Sequence, residues 1–137
     1  MRALFFALAL APLPALADPP SANLGAPLSA SEFESYATGK TLTYAQGGQV
    51  WGTEQYLPGR QVLWAFTDQP CLAGVWHPEN QAICFEYEGE TGQSCWLFYQ
   101  GPGGLVAQFQ SGDATTNLSE TARTSTPMQC PGPKVGV

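Results

Sequence analysis

The stretch QVWGTEQYLPGRQVLWAF, residues 49–66, decides the fold class. It holds two runs rich in aromatic and β-branched residues, 49–57 and 61–66, separated by the turn signal Pro58-Gly59. Runs of this length and composition read as strands, and so short a connection joins them as an antiparallel hairpin. A tight turn at Pro58-Gly59 sets Trp51 opposite Phe66 and Thr53 opposite Trp64. On that register Trp51, Val62, Trp64 and Phe66 share one face, and Gly52, Glu54 and Tyr56 share the other. A slip of one residue exchanges the two faces.

The same pattern continues on both sides of this hairpin. Further strands are expected at 41–45, 72–76, 82–88, 94–100 and 105–110. They are separated by Gly47-Gly48, Asp68-Gln69-Pro70, Pro78-Glu79-Asn80, the Gly89–Gly92 stretch and the Gly101–Gly104 stretch. Each break is too short for a crossover helix, so the architecture is mainly β, an antiparallel meander of about seven strands. Such a meander hides its edges by forming a small barrel or a sandwich. A turn centred on Gly89-Glu90 places Ile83, Phe85, Tyr87, Trp96 and Phe98 on one face.

One short N-terminal helix precedes the strands. Ser29 is its cap, Glu32 completes a capping box, and Leu28 with Phe33 forms a hydrophobic staple. Gly39 ends it. Phe33, Tyr36 and Ala37 lie on one helical face, which docks on the β domain. The β domain with its helix thus covers 28–110. Residues 111–137 are rich in Ser, Thr, Pro and Gly and read as a tail tethered by Cys130.

The first residues carry a different signal. Arg2, a short apolar run and Ala15-Leu16-Ala17 make 1–17 an export signal peptide, and 18–27 a flexible leader. The apolar run is too short for a bilayer span and contains Pro12 and Pro14. The mature chain of about 120 residues is a single-domain length. These features predict a periplasmic or secreted protein with no membrane insertion of the mature chain.

Export gives the four cysteines their meaning. Cys71, Cys84, Cys95 and Cys130 are even in number, contain no Cys-x-x-Cys and fit no zinc ribbon, so structural disulfides are expected. Three pairings are open on cysteine count alone. The Gly89-Glu90 turn puts Cys84 opposite Cys95, which favours Cys84–Cys95 and leaves Cys71–Cys130. A minimal turn would put that first pair at a hydrogen-bonded position, where the α-carbons stand further apart; a longer turn or a bulge changes this.

The net charge is −6. Beyond Arg2, the basic residues are Lys40, Arg60, Arg123 and Lys134, too few and too scattered to neutralise a nucleic acid or an anionic membrane. No cofactor motif and no metal-ligand spacing occurs. His77, the single histidine, reads as a turn residue beside Pro78; no nucleophile motif accompanies it. Glu86, Glu88 and Glu90 alternate outward along a strand end, and paired carboxylates of this kind are what glycoside hydrolysis requires. Trp51, Trp64, Trp76 and Trp96 read as core or, if exposed, as a stacking platform. Glu54, Tyr56 and Arg60 surround the Pro58-Gly59 turn, where Arg60 is placed to pair with Glu54. These seven residues are the candidate binding set; no catalytic residue is assigned.

Taken in order, Ser31-Glu32-Phe33, Gly39-Lys40-Thr41, Gly52-Thr53-Glu54-Gln55-Tyr56, Arg60 with Val62-Leu63-Trp64, Cys71, Gly74-Val75-Trp76, the segment Ile83 to Glu88, and Cys95-Trp96 resemble a family of small exported alphaproteobacterial proteins. The resemblance implies an exported, disulfide-containing β domain and no particular activity. Gly74-Val75-Trp76 is also similar to a lipocalin signature, although lipocalins carry theirs on the first strand. Exported lysozyme inhibitors of this size use a Ser-Gly-x-x-Tyr loop, and Ser111-Gly112 lacks its Tyr. The expectation is therefore a non-enzymatic binding domain of the bacterial cell envelope, whose partner is an unknown protein or envelope component. Its alternatives are an inhibitor of a basic envelope hydrolase and a cell-wall glycan hydrolase using paired Glu residues.

Overall fold

The computed structural model describes residues 24–110 and 116–130. The segment read as a signal peptide, most of that read as a leader, Ser111-Gly112 and the end of the segment read as a tail lie outside the described residues. Helix α1 (Ala30–Ala37) leads into eight strands. They are β1 (Thr41–Gln46), β2 (Gln49–Leu57), β3 (Gln61–Phe66), β4 (Leu72–Glu79), β5 (Ala82–Tyr87), β6 (Ser94–Gly101), β7 (Gly104–Phe109) and β8 (Asn117–Thr124). Each strand pairs antiparallel with its neighbours, and β8 pairs with β1 to close a barrel. Across the described residues the fold is thus mainly β with one short helix, and a barrel rather than a sandwich.

The strand count exceeds the expected seven because β8 lies in the segment read as tail. Its inward positions are Leu118 and Glu120, so a single apolar side chain marks its buried face. Past β8, the chain turns back over the outside of the barrel. Thr41 Oγ1 donates to Thr126 O at 2.8 Å, Met128 N donates to Gln55 Oε1 at 3.0 Å, and Cys130 is bonded to Cys71 just before β4. The other disulfide joins Cys84 to Cys95 directly across β5 and β6. Both pairings match the expectation. The Cys84–Cys95 pair has a Cα–Cα separation of 4.0 Å, the close rather than the hydrogen-bonded spacing. The ladder stops at Phe85–Ser94, so the loop beyond it is longer than a minimal turn.

The helix forms as its sequence dictates. Ser29 Oγ accepts from Glu32 N, and Glu32 Oε2 accepts from Ser29 N at 2.8 Å. Phe33 and Ala37 are fully buried. Phe33 enters one end of the barrel, its ring centroid 5.5 Å from Tyr56, 5.2 Å from Trp76 and 4.5 Å from Phe98. Glu120 ties the helix to the closing strands. One of its oxygens accepts from Tyr36 Oη at 2.7 Å and from Leu105 N at 2.8 Å.

The register of the 49–66 hairpin differs from expectation by one residue. Gly52 pairs with Phe66, Glu54 with Trp64, Tyr56 with Val62 and Leu57 with Gln61. The connection is Pro58-Gly59-Arg60, with Gly59 (φ 75°) and Arg60 (φ 59°) both left-handed. A loop of that length shifts the pairing by one residue and exchanges the faces. Gly52, Glu54 and Tyr56 therefore point into the barrel beside Val62, Trp64 and Phe66. A second correction concerns His77. Strand β4 runs through Pro78 and pairs His77 with Cys84, so His77 lies in a strand and not in a turn.

Candidate functional site: an aromatic cavity in the barrel

With α1 across one end, the barrel interior stays open at the other. An eight-stranded barrel is just wide enough to be filled by side chains or to hold one small ligand. Here both occur in successive layers. Below, Phe33, Val62, Trp76, Ile83 and Leu105 fill the space and are buried. Above them lies a cavity of about 240 Å³. Trp51, Trp64, Phe66, Trp96 and Phe109 line its wall, with Glu54, Tyr56, Tyr87 and Phe85 deeper in.

Local backbone features bring these groups together. Residue 51 has no partner on β1, because Tyr44 pairs with Gly52 and Ala45 with Val50. This bulge turns Trp51 toward the cavity, although its strand neighbours Gly52 and Glu54 already point inward. Its ring lies 6.5 Å from Trp64, 6.0 Å from Phe66 and 6.0 Å from Trp96. Gly52 lets the Trp64 indole lie across the β2 backbone; a Cβ there would stand 2.5 Å from the ring. Gly74 does the same for Tyr87, where a Cβ would stand 2.7 Å from the phenol. The Gly74-Val75-Trp76 triplet thus has two structural tasks. Gly74 seats Tyr87, and Trp76 packs on Phe33.

Tyr87 Oη donates to Glu54 Oε1 at 2.8 Å, and Tyr56 Oη reaches Glu54 Oε2 at 3.5 Å. Tyr56 Oη also shares a 2.9 Å hydrogen bond with Tyr44 Oη. Glu54 is 4% exposed, and among the described residues no cation acts on it. Burial pushes its carboxyl pKa up to about 8, against the opposing effect of the Tyr87 and Tyr56 hydroxyls. Burial likewise holds Tyr44, Tyr56 and Tyr87 well above the usual phenol value. At neutral pH the group is therefore a protonated acid among neutral phenols. It can donate as well as accept a hydrogen bond.

Of the candidate binding residues, Trp51, Trp64, Trp96, Glu54 and Tyr56 meet in this cavity. Trp76 and Arg60 do not. Arg60 pairs with Glu34 at 3.3 Å, not with Glu54, and its guanidinium lies 4.7 Å from the Trp76 ring centroid, outside the closed end. Its left-handed backbone in the β2–β3 loop points it away from the barrel interior. Phe66, Tyr87 and Phe109 also line the cavity and were outside that set, and so does Glu90, which was read only as one of the outward carboxylates. The inward alternation of β3 and β5 marks Phe66 and Tyr87; nothing local places Phe109 or Glu90 at the cavity.

Glu86 and Glu88 are exposed. Glu86 stands on the outer side of β5, 3.8 Å from His77, which also lies 3.7 Å from Glu79. His77, Glu79 and Cys84 offer ligand atoms within 4.8 Å of one another. The Cys84 sulfur is already bonded to Cys95 and supplies no thiolate. Among the described residues no helix is long and apolar enough to cross a membrane. Two disulfides suit a compartment outside the reducing cytosol. No family model, curated protein or solved structure matches the chain.

Proposed function

We propose that this is an exported, non-enzymatic binding protein of the cell envelope whose barrel receives a small, largely apolar ligand. The observation that carries this is the preformed cavity, walled by aromatic side chains and holding a few polar groups at depth, the usual make-up of a small-molecule site. Phe66 agrees with it, since it lines the cavity and is 39% exposed, which extends apolar surface to the mouth. Protein recognition, as in an inhibitor of a basic envelope hydrolase, would instead draw on the acidic exterior. The hydrolase alternative loses its Glu86 and Glu88 pair, which is exposed outside the barrel, and of the carboxylates named for it only the buried Glu54 and the exposed Glu90 line the cavity.

Titration of the oxidised protein with a neutral aromatic probe, indole or tert-butylbenzene, followed by tryptophan fluorescence, tests this reading. Saturable binding with a stoichiometry of one is expected for at least one of them. The double variant Trp51→Ala/Phe66→Ala should weaken it by about thirtyfold, since each of the two rings buried against a ligand contributes on the order of 1 kcal/mol. Linear, unsaturable signals with both probes overturn it.

A further inference from the structure

We propose that the natural occupant of the cavity is an organic cation, a hydrophobic amine or quaternary ammonium, surrounded by the rings of Trp51, Trp64, Phe66 and Trp96 and paired with Glu54. This rests on the ligand-binding reading and specifies the chemical class of the ligand.

Charge is the first argument. Among the described residues, two ionisable carboxyl groups line the cavity, those of Glu54 and Glu90, and no basic side chain does. Among the described residues, the two arginines are engaged elsewhere. Arg60 is held by Glu34 and Trp76, and Arg123 lies 3.7 Å from Glu120 with its guanidinium 4.5 Å from the Tyr36 ring centroid. An anionic ligand would meet no counter-ion there. It would meet the carboxylate of Glu90 and, at Glu54, a carboxyl group whose ionisation it would oppose. A cation would meet the exposed Glu90 carboxylate and, deeper in, Glu54 in surroundings poor in water, where the attraction is strongest.

Ring geometry is the second. Trp51 stands at 81° to Trp64, 55° to Phe66 and 68° to Trp96. Trp64 stands at 86° to Phe66, 5.3 Å away. Rings set this way wall a space from several directions, whereas a flat apolar ligand is best gripped between parallel rings. The negative ring faces attract a cation placed within about 6 Å of them, and quaternary ammonium groups are recognised in such surroundings. A phenyl or alkyl remainder would fill the apolar space toward Phe98 and Phe109.

Glu54 completes the site. It lies below the rings and is fixed by Tyr87 and Tyr56, so it needs no rearrangement to accept a positive partner. In the empty barrel its burial keeps the proton on, up to about pH 8. A bound cation favours the carboxylate, so the proton leaves as the cation arrives. Affinity must then rise with pH toward 8 and level off above it. The ionisable groups around Glu54 are Tyr44 on β1, Tyr56 on β2, Tyr87 on β5 and Glu90 beyond β5, with Glu120 on β8 acting on Tyr44. Strands β3, β6 and β7 send non-ionisable side chains to the cavity.

Phenyltrimethylammonium and its uncharged carbon isostere tert-butylbenzene have nearly the same shape and separate charge from fit. Both are titrated into the oxidised protein at pH 6, 7, 8 and 9, with tryptophan fluorescence and calorimetry as readouts. At pH 9 the cation should bind at least tenfold more tightly than the isostere. Its affinity should climb by close to tenfold per pH unit between 6 and 8, while that of the isostere stays flat. Glu54→Gln, checked for folding by circular dichroism, should lose the pH dependence and most of the preference. If that variant does not fold, the wild-type pH profile and the isostere comparison still decide. Binding of the isostere as tightly as the cation, or a cation affinity independent of pH, overturns the organic-cation inference and leaves the ligand-binding reading standing. Failure of both probes to bind overturns the organic-cation inference, and failure of indole as well overturns the ligand-binding reading with it.

Discussion

A carboxyl group that keeps its proton to about pH 8 makes the fold sensitive to alkali. In the unfolded chain Glu54 ionises near its ordinary value of 4.5. Between that value and 8 the folded protein holds a proton that unfolding releases, so stability falls as pH rises through this window. The slope for one such group is about 1.4 kcal/mol per pH unit. Below the window both states are protonated; above it both are ionised, and the slope vanishes. Urea unfolding at pH 5, 6, 7 and 8 should therefore show decreasing stability. Glu54→Gln, which keeps an oxygen for the Tyr87 hydroxyl, should flatten the curve and be more stable than wild type at pH 8. A wild-type curve that rises over that interval would show Glu54 to be ionised and solvated in the folded state. Sequence marked Glu54 as a candidate through its neighbours Tyr56 and Arg60. It did not mark its burial, because one polar residue between Thr53 and Gln55 carries no sign of which way it points.

At the scale of elements, two glycines place the cavity's side chains. A Cβ at Gly74 would stand 2.5 Å from Glu86 O as well as 2.7 Å from Tyr87 Cδ1. One of these neighbours is main chain in the adjacent strand and cannot give way without parting β4 from β5. Gly74→Ala should cost about 1–3 kcal/mol, the usual range for overpacking, and displace the Tyr87 hydroxyl from Glu54. Gly103→Ala is the matched control, since nothing lies within 4 Å of its Cβ position, and should be close to neutral in urea unfolding. Equal midpoints for the two variants would mean that β4 and β5 tolerate the added methyl. The elements themselves were legible in differing degree. The β5–β6 hairpin was read in register because Gly89-Glu90 marks the centre of its connection and cysteines face each other across it. The β2–β3 hairpin slipped because both faces of β2 carry aromatic and polar residues, Trp51 and Gln55 on one and Tyr56 and Glu54 on the other. Alternation then gave no vote, and the outcome fell to a left-handed Arg60, a residue type that rarely adopts that conformation.

Closure of the barrel is a property of the whole chain, and it explains why the cavity escaped a reading of segments. Each hairpin announces a strand pair, but the interior exists only once β8 meets β1, and β8 contributes one large apolar side chain to the core, Leu118. The two disulfides act on this closed object in different ways. Cys71–Cys130 spans 59 residues and fastens the segment after β8 across the outside of β1 and β2 to the start of β4. Loop entropy gives it on the order of 4 kcal/mol, mostly through the unfolded chain. Cys84–Cys95 spans 11 residues, and the same relation gives it about 3 kcal/mol. It sits, however, in a ladder of three residue pairs, Ile83–Trp96, Cys84–Cys95 and Phe85–Ser94. Two of those pairs carry cavity-lining residues, Trp96, Phe85 and Ser94. Removing the long-range bridge, as Cys71→Ser/Cys130→Ser, should therefore lower the urea midpoint more while leaving probe affinity within about twofold. Removing the short one, as Cys84→Ala/Cys95→Ala, should lower it less yet weaken probe binding severalfold, because the β5–β6 seam opens beside the mouth. The reverse ranking in both measurements would place the mechanical support of the cavity in the outer strap instead of in the seam.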